Sequence, residues 1–274
     1  MKTIREAASE RLLLAAHRGT AGGNIPCNTI QAYEIALRHH ADIVEIDVSK
    51  AADGTLFVFH PGMEFPHLRS EKLIADMTAD EVRQLHFVNQ DGVPTVNSVA
   101  LLDDILEMLK GRAYVNIDKF WTAMPEITEA VRRHGMTDQV IVKTSDDPKW
   151  FDMVEQIAPD LPYMPIVRNT DNACPALLKR NISLLGAEVL FNEESEPVAS
   201  PEYIKWMHDN GLLVWVNSIV YNYKAVLAAG HNDDEALAGN TDWAWSWLSD
   251  RGFDIVQTDW ALPAHLYYKE KGRR

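Results

Sequence analysis

An α/β fold of the TIM (β/α)8 barrel type, with a small insertion after strand 2, is what this sequence predicts, and three observations predict it. Eight short apolar runs alternate with longer segments of helical periodicity along 274 residues, a rhythm that builds βαβ units around a parallel sheet. Eight strand candidates over this length favour a closed barrel over an open sheet. No Ser/Gly-rich linker or low-complexity stretch divides the chain. A single domain over 1–274, with the insertion at about 49–112, is therefore the economical organisation.

The elements follow in order. The first run, 12–16, is Leu-Leu-Leu-Ala-Ala. It falls short of the roughly 7–15-residue apolar core of a signal peptide, and His-Arg-Gly follows it instead of a cleavage site, so it reads as strand 1. No apolar stretch nears the roughly 18 residues that span a bilayer, so no membrane span is expected and the cytoplasm is the expected location. Residues 29–40 repeat apolar positions at three- and four-residue spacing and read as a helix. Strand 2 is 43–48, and the insertion carries a strand-like 55–59 and helical patterns at 78–85 and 99–110. The remaining strands are 113–117, 140–142, 161–166, 184–190, 212–216 and 254–256, with helical patterns at 125–134 and 201–210 between them.

Composition narrows the partners. Hydrophobic residues make up 46% and charged residues 24%, ample for a large core. A net charge of −14 excludes the basic footprint that a nucleic-acid partner requires. A phosphate-handling site in so acidic a chain needs local compensation, from a bound cation or from a few Arg and Lys. The two cysteines, Cys27 and Cys174, have no paired spacing, so neither a disulfide framework nor a zinc site is indicated.

In such a barrel the chemistry sits at the C-terminal ends of the strands. Those positions hold His17, Arg18 and Gly19 after strand 1, Glu45 and Asp47 on strand 2, and His60 after the insertion's strand. Asp118 with Lys119, then Lys143, close strands 3 and 4, while later strands offer Arg168, Asn192 with Glu193, Asn217 and Asp259. Glu45 and Asp47 are two apart on a strand and so share a face. Two buried like charges require a partner. Either a hard divalent cation such as Mg²⁺ or Ca²⁺ supplies it, with Asp118 as a third ligand, or one carboxylate forms a salt bridge at the rim. His17 and His60 suit proton transfer near neutrality, although a lone histidine at a strand end is commonly structural. Arg18 has the fork geometry for phosphate oxygens.

The ordered set resembles the glycerophosphodiester phosphodiesterase family. His17-Arg18-Gly19 matches its opening HRG, and Asn28-Thr29 the end of its ENT. Ala41-Asp42-Ile43-Val44-Glu45-Ile46-Asp47-Val48 matches its GAD-x-(I/V)-E-x-D-V strand, with Asp53-Gly54-Thr55 and His60 following. Trp215-Val216-Asn217 and Ile255-Val256-Gln257-Thr258-Asp259 resemble its late strands, so the likeness spans nearly the whole chain. The resemblance implies hydrolysis of a small-molecule phosphodiester, giving an alcohol and glycerol phosphate. It implies one divalent cation (Mg²⁺ or Ca²⁺) on Glu45, Asp47 and Asp118, His17 and His60 as acid and base, and Arg18 on phosphate.

Several positions depart from the pattern. Cys27 stands where the family has the ENT glutamate, and Pro61 follows His60 where an aspartate is usual. The family's E-x-K is Asp118-Lys119-Phe120, leaving no lysine two positions on. Lys119 falls out of phase with Asp118 on a regular strand. Lys143 is therefore the expected substitute on the substrate phosphate, unless it makes a rim salt bridge to Asp146 or Asp147. Cys27 has no evident base partner. Trp243, Trp245, Trp247 and Trp260 read as helix packing or a wall for the leaving group, and Glu193, Glu194 and Glu196 as a solvated loop. Two other functions share this barrel: a phospholipase D-like or cyclising phosphodiester lyase, and a non-catalytic phosphodiester-binding barrel. Oligomeric state is open.

Overall fold

The computed structural model describes residues 1–221 and 224–274. Its strands begin with β1 (Leu13–Ala16), β2 (Ile43–Lys50), β3 (Leu56–Val58), β4 (His86–Val88), β5 (Pro94–Ser98) and β6 (Tyr114–Asp118). They continue with β7 (Val140–Ser145), β8 (Tyr163–Arg168), β9 (Gly186–Leu190), β10 (Leu213–Asn217) and β11 (Ile255–Thr258). The parallel order β1-β11-β10-β9-β8-β7-β6-β2 closes through pairing of β1 with β2, giving an eight-stranded barrel. β3 adds antiparallel to the far end of β2, and β4 and β5 form a separate hairpin in the segment between β2 and β6. The predicted barrel and its insertion are both present.

Alternation sorts the strands into two faces. Leu14, Val44, Ile46, Val115, Val142 and Val256 point outward into the main core against the helices. Leu13, Ala15, Ile43, Tyr114, Ile141, Met164, Leu213 and Ile255 fill the interior at the N-terminal end of the barrel. That end is closed by a helix the sequence reading overlooked, α1 (Ile4–Glu10), whose Ile4 and Ala7 join the interior cluster. Its signal is a capping box: the Thr3 hydroxyl accepts from the Glu6 N–H, and the Glu6 carboxylate accepts from the Thr3 N–H. A third cluster, with Phe57, Phe59, Ile74, Val82 and Phe87, packs the insertion as a small core of its own.

The apolar runs located the strands but set several ends too early. β2 runs on to Lys50 and β7 to Ser145, because strand geometry continues through the polar residues that follow each apolar run. Among the described residues, no helix is long and apolar enough to cross a membrane.

Candidate active site

β2 and β6 pair in register, Glu45 opposite Asn116 and Asp47 opposite Asp118. This brings ligand atoms of Glu45, Asp47 and Asp118 within 4.8 Å of one another. Glu45 and Asp47 are buried, at 3% and 0% exposure. Burial and the neighbouring Asp47 push the Glu45 carboxyl up to about 8. Burial would also raise Asp118, but the Lys119 ammonium outweighs it and holds Asp118 below its usual range. Asp47 Oδ1 and Asp118 Oδ1 are buried without a hydrogen-bond partner. Three converging carboxylates with two orphaned oxygens suit a hard divalent cation, which takes oxygen ligands and repays the cost of grouping like charges.

One oxygen each of Glu45 and Asp47 is held by the loop after β1. The Arg18 N–H donates to Glu45 Oε2 at 2.7 Å. The Arg18 side chain forms an ion pair with Asp47, Nε to Oδ2 at 3.0 Å, without the alignment of a hydrogen bond. Asn28 Nδ2 donates to the same oxygen at 2.9 Å, and the Tyr33 hydroxyl anchors Asn28 Oδ1. Arg18 and Asn28 both adopt left-handed backbone, at φ 55° and 57°. Such conformations cost energy outside glycine and collect at functional sites. Gly19 continues the loop at φ 77°, where a Cβ would stand 2.8 Å from the Ala32 carbonyl carbon. Glycine is required there.

Both histidines reach the same cavity of about 340 Å³, together with Arg18, Glu45, Asp118 and Lys119. His17 Nδ1 lies 2.9 Å from Asp259 Oδ1. Burial lowers the His17 pKa, but the Asp259 hydrogen bond and the charge of Glu45 prevail and leave it raised. His60 Nδ1 lies 2.9 Å from the Pro61 carbonyl oxygen, and its Nε2 faces Asp47 Oδ1 at 3.9 Å. Burial holds the His60 pKa below its ordinary value. The two imidazoles are thus biased to opposite protonation states, one tied to a carboxylate and one to a neutral carbonyl.

The two lysines exchange the places expected of them. Lys119 is not a strand residue: β6 ends at Asp118, and Lys119 turns to left-handed φ 59°. The turn cancels the alternation that had pointed it outward. Lys119 Nζ meets Asp118 Oδ2 at 2.7 Å and lines the cavity. Lys143 stays in strand phase, points into the barrel below the mouth, and is 1% exposed. Its Nζ pairs with Glu188 Oε2 at 2.7 Å and sits 3.1 Å from the Trp215 ring centroid. The rim salt bridge to Asp146 or Asp147 also fails, since Lys143 Nζ is buried against Glu188 inside the barrel.

Several residues of the site went unread. Glu188, Asn116 and Gln257 line the cavity floor, and only two-residue alternation along β6, β9 and β11 could have found them. Asn217, a strand-end candidate, faces inward and donates to Glu188 Oε1 at 2.7 Å. Asp233 is buried and accepts from the Ser218 and Thr258 hydroxyls, the Trp245 indole and the Asp259 N–H. It thereby fixes the turn that presents Asp259 to His17. Cys27 does have a neighbour, His67 Nδ1 at 3.8 Å, yet burial pushes its thiol up to about 11, away from nucleophilic use. Trp245 packs inside, while Trp243 and Trp260 stand half-exposed. In the expected solvated loop, Glu194 instead pairs with the buried His231 at 3.1 Å.

Over 137 residues the chain is 30% identical to the uncharacterized protein YqiK of Bacillus subtilis, covering 47% of this chain and 56% of that protein. Over 141 residues it is 29% identical to a glycerophosphodiester phosphodiesterase of Bacillus altitudinis, with the same two coverages, 47% and 56%. The chain spans a little over half the length of these curated relatives. A glycerophosphoryl diester phosphodiesterase structure from Parabacteroides distasonis superposes with a TM-score of 0.80 at 18% identity, over 99% of this chain and 93% of that one. An Oleispira antarctica phosphodiesterase in complex with the product sn-glycerol-3-phosphate gives 0.71 at 18% identity, over 96% and 99%. At these identities the structures share the fold. A family model matches residues 17–261, from the first site histidine to the helix beyond Asp259, and the chain belongs to the glycerophosphoryl diester phosphodiesterase family.

Proposed function

We propose that this chain hydrolyses a glycerophosphodiester to an alcohol and glycerol phosphate, with one divalent cation, Mg²⁺ or Ca²⁺, on Glu45, Asp47 and Asp118. The observation that carries the reading is the clustering of three carboxylates beside one cavity at the C-terminal mouth of the barrel, lined by two oppositely biased histidines, Arg18, Glu45 and Asp118. The named activity of the Bacillus altitudinis relative and the product in the Oleispira antarctica structure support it.

When bound, the cation supplies Lewis-acid polarisation of the phosphoryl oxygens. The chain's own residues do the rest. Arg18 and Lys119 bind the remaining non-bridging oxygens and meet the charge that grows on them. His60, kept neutral by burial, takes the proton of the attacking oxygen at Nε2, since Nδ1 faces the Pro61 carbonyl. His17, kept protonated through Asp259, gives a proton to the departing alcohol oxygen. Asn28 and the Arg18 N–H hold Asp47 and Glu45 in place throughout.

A panel of glycerophosphodiesters assayed with and without EDTA tests this reading. Turnover is expected to vanish on chelation and return with Mg²⁺ or Ca²⁺, and Glu45→Gln is expected to weaken cation binding and turnover together. Unchanged turnover in EDTA, or a fully active Glu45→Gln protein, would overturn it.

A further inference from the structure

A second cavity, of about 610 Å³, opens beside the first and shares His17 and Arg18 with it. A phosphodiester has two arms that diverge from phosphorus, so two cavities meeting at a proton donor and a phosphate ligand offer one place for each. Resting on the function proposed above, we propose that this second cavity receives the leaving-alcohol arm and selects an uncharged, apolar alcohol.

The two cavities differ in chemistry. Asn116, Glu188, Asn217 and Gln257 give the first a polar floor, suited to the hydroxyls of glycerol, beneath an apolar rim that includes Ile166, Leu190 and Ile219. Ala21, Trp260, Leu262 and Pro263 give the second an apolar wall. Trp260 is 49% exposed, a large indole face left to solvent at the edge of the site. The Thr258 hydroxyl accepts from its N–H at 2.9 Å and so pins the backbone that presents it. Cys27, also in the wall, remains a neutral thiol.

Charge excludes the other class of arm. A cationic amine head group would need an uncommitted carboxylate, and the carboxylate in this lining, Asp259, is already bonded to His17. Arg18 repels the same group from the shared wall. The cavity also reaches His39, which follows the nine-residue helix Ile30–Arg38 that begins near the mouth. That helix is about 13 Å long at 1.5 Å per residue, so the cavity has the reach for an extended alkyl chain.

Binding can be read without turnover. Calorimetry in Mg²⁺ compares methylphosphonate, octylphosphonate and 2-aminoethylphosphonate on the wild type, Trp260→Ala and Leu262→Glu, each checked for its fold by circular dichroism. The wild type is expected to bind octylphosphonate at least about tenfold tighter than either short probe, because the chain leaves water. Trp260→Ala should shrink that ratio several-fold, and Leu262→Glu should turn the preference toward the aminoethyl probe. Equal affinities in the wild type, or a ratio retained in both variants, would overturn the proposal. Turnover of diesters with either kind of arm is a separate reading: its absence sinks the hydrolase, whereas turnover with equal phosphonate affinities sinks only the apolar subsite.

Discussion

In the proposed mechanism, Asp259 decides which histidine gives up a proton. Its carboxylate counters the burial that would otherwise lower the His17 pKa. The rate should rise with pH as His60 loses its proton and fall as His17 loses its own. Asp259→Asn removes a raising influence, so the falling limb of kcat/KM should move to lower pH while the rising limb stays. Movement of the rising limb alone would reverse the assignment of acid and base. The histidines, Arg18 and the three carboxylates were legible in the sequence because each lies within or at the end of an apolar run, within a local spacing that already constrains its direction. Asp233 and Glu188 were not. Asp233 binds Ser218 at a separation of 15 residues and Thr258 at 25, and Glu188 meets Lys143 at 45. Such partners are created by barrel closure, and no local pattern announces them.

At the level of elements, a strand's end matters as much as its course. Alternation predicts direction only while the strand lasts, and β6 stops one residue before Lys119. One left-handed residue then returns that side chain to the mouth, whereas Lys143 obeys alternation inside β7 and is buried. Lys119→Met should therefore lower turnover strongly with little loss of stability. Lys143→Met should instead cost about 3 kcal/mol of stability, because it leaves Glu188 buried without its cation. Chemical denaturation and steady-state kinetics on both variants separate the cases, and the opposite pattern would return Lys143 to the phosphate. The barrel strands were readable from their hydrophobic runs, and the insertion from its interruption of the rhythm. Helix α1 and the β4–β5 hairpin were overlooked for different reasons. The first is seven residues long, too short for periodicity to stand out. The second exposes Val93 and Val96, so its hydrophobic pattern does not mark a buried face.

Across the whole molecule, negative charge is tolerated at the mouth because a few cations are placed against it. Arg18 faces Asp47 and Lys119 faces Asp118 in a chain of net charge −14. The opposite end of the barrel is closed by α1, and its closure bears on how the protein folds. The interior cluster that Ile4 and Ala7 of α1 join is assembled from Leu13, Ile43, Tyr114, Ile141, Met164, Leu185, Leu213 and Ile255, drawn from strands all around the barrel. The Tyr114 hydroxyl donates to the Lys2 carbonyl oxygen at 2.7 Å, and Arg5 donates to the carbonyl oxygens of Leu184 and Gly211. None of this docking site exists until the barrel has closed. Although α1 precedes every strand in the chain, it should dock after the rate-limiting step, with a φ-value near zero. Ile4→Ala should then destabilise the protein by about 2–4 kcal/mol and express the whole loss as faster unfolding, leaving the refolding rate unchanged in stopped-flow measurements. A refolding rate that slowed in proportion would put α1 in the nucleus. With α1 as a late-docking stopper, the native barrel owes its lifetime, more than its speed of formation, to seven residues at its base.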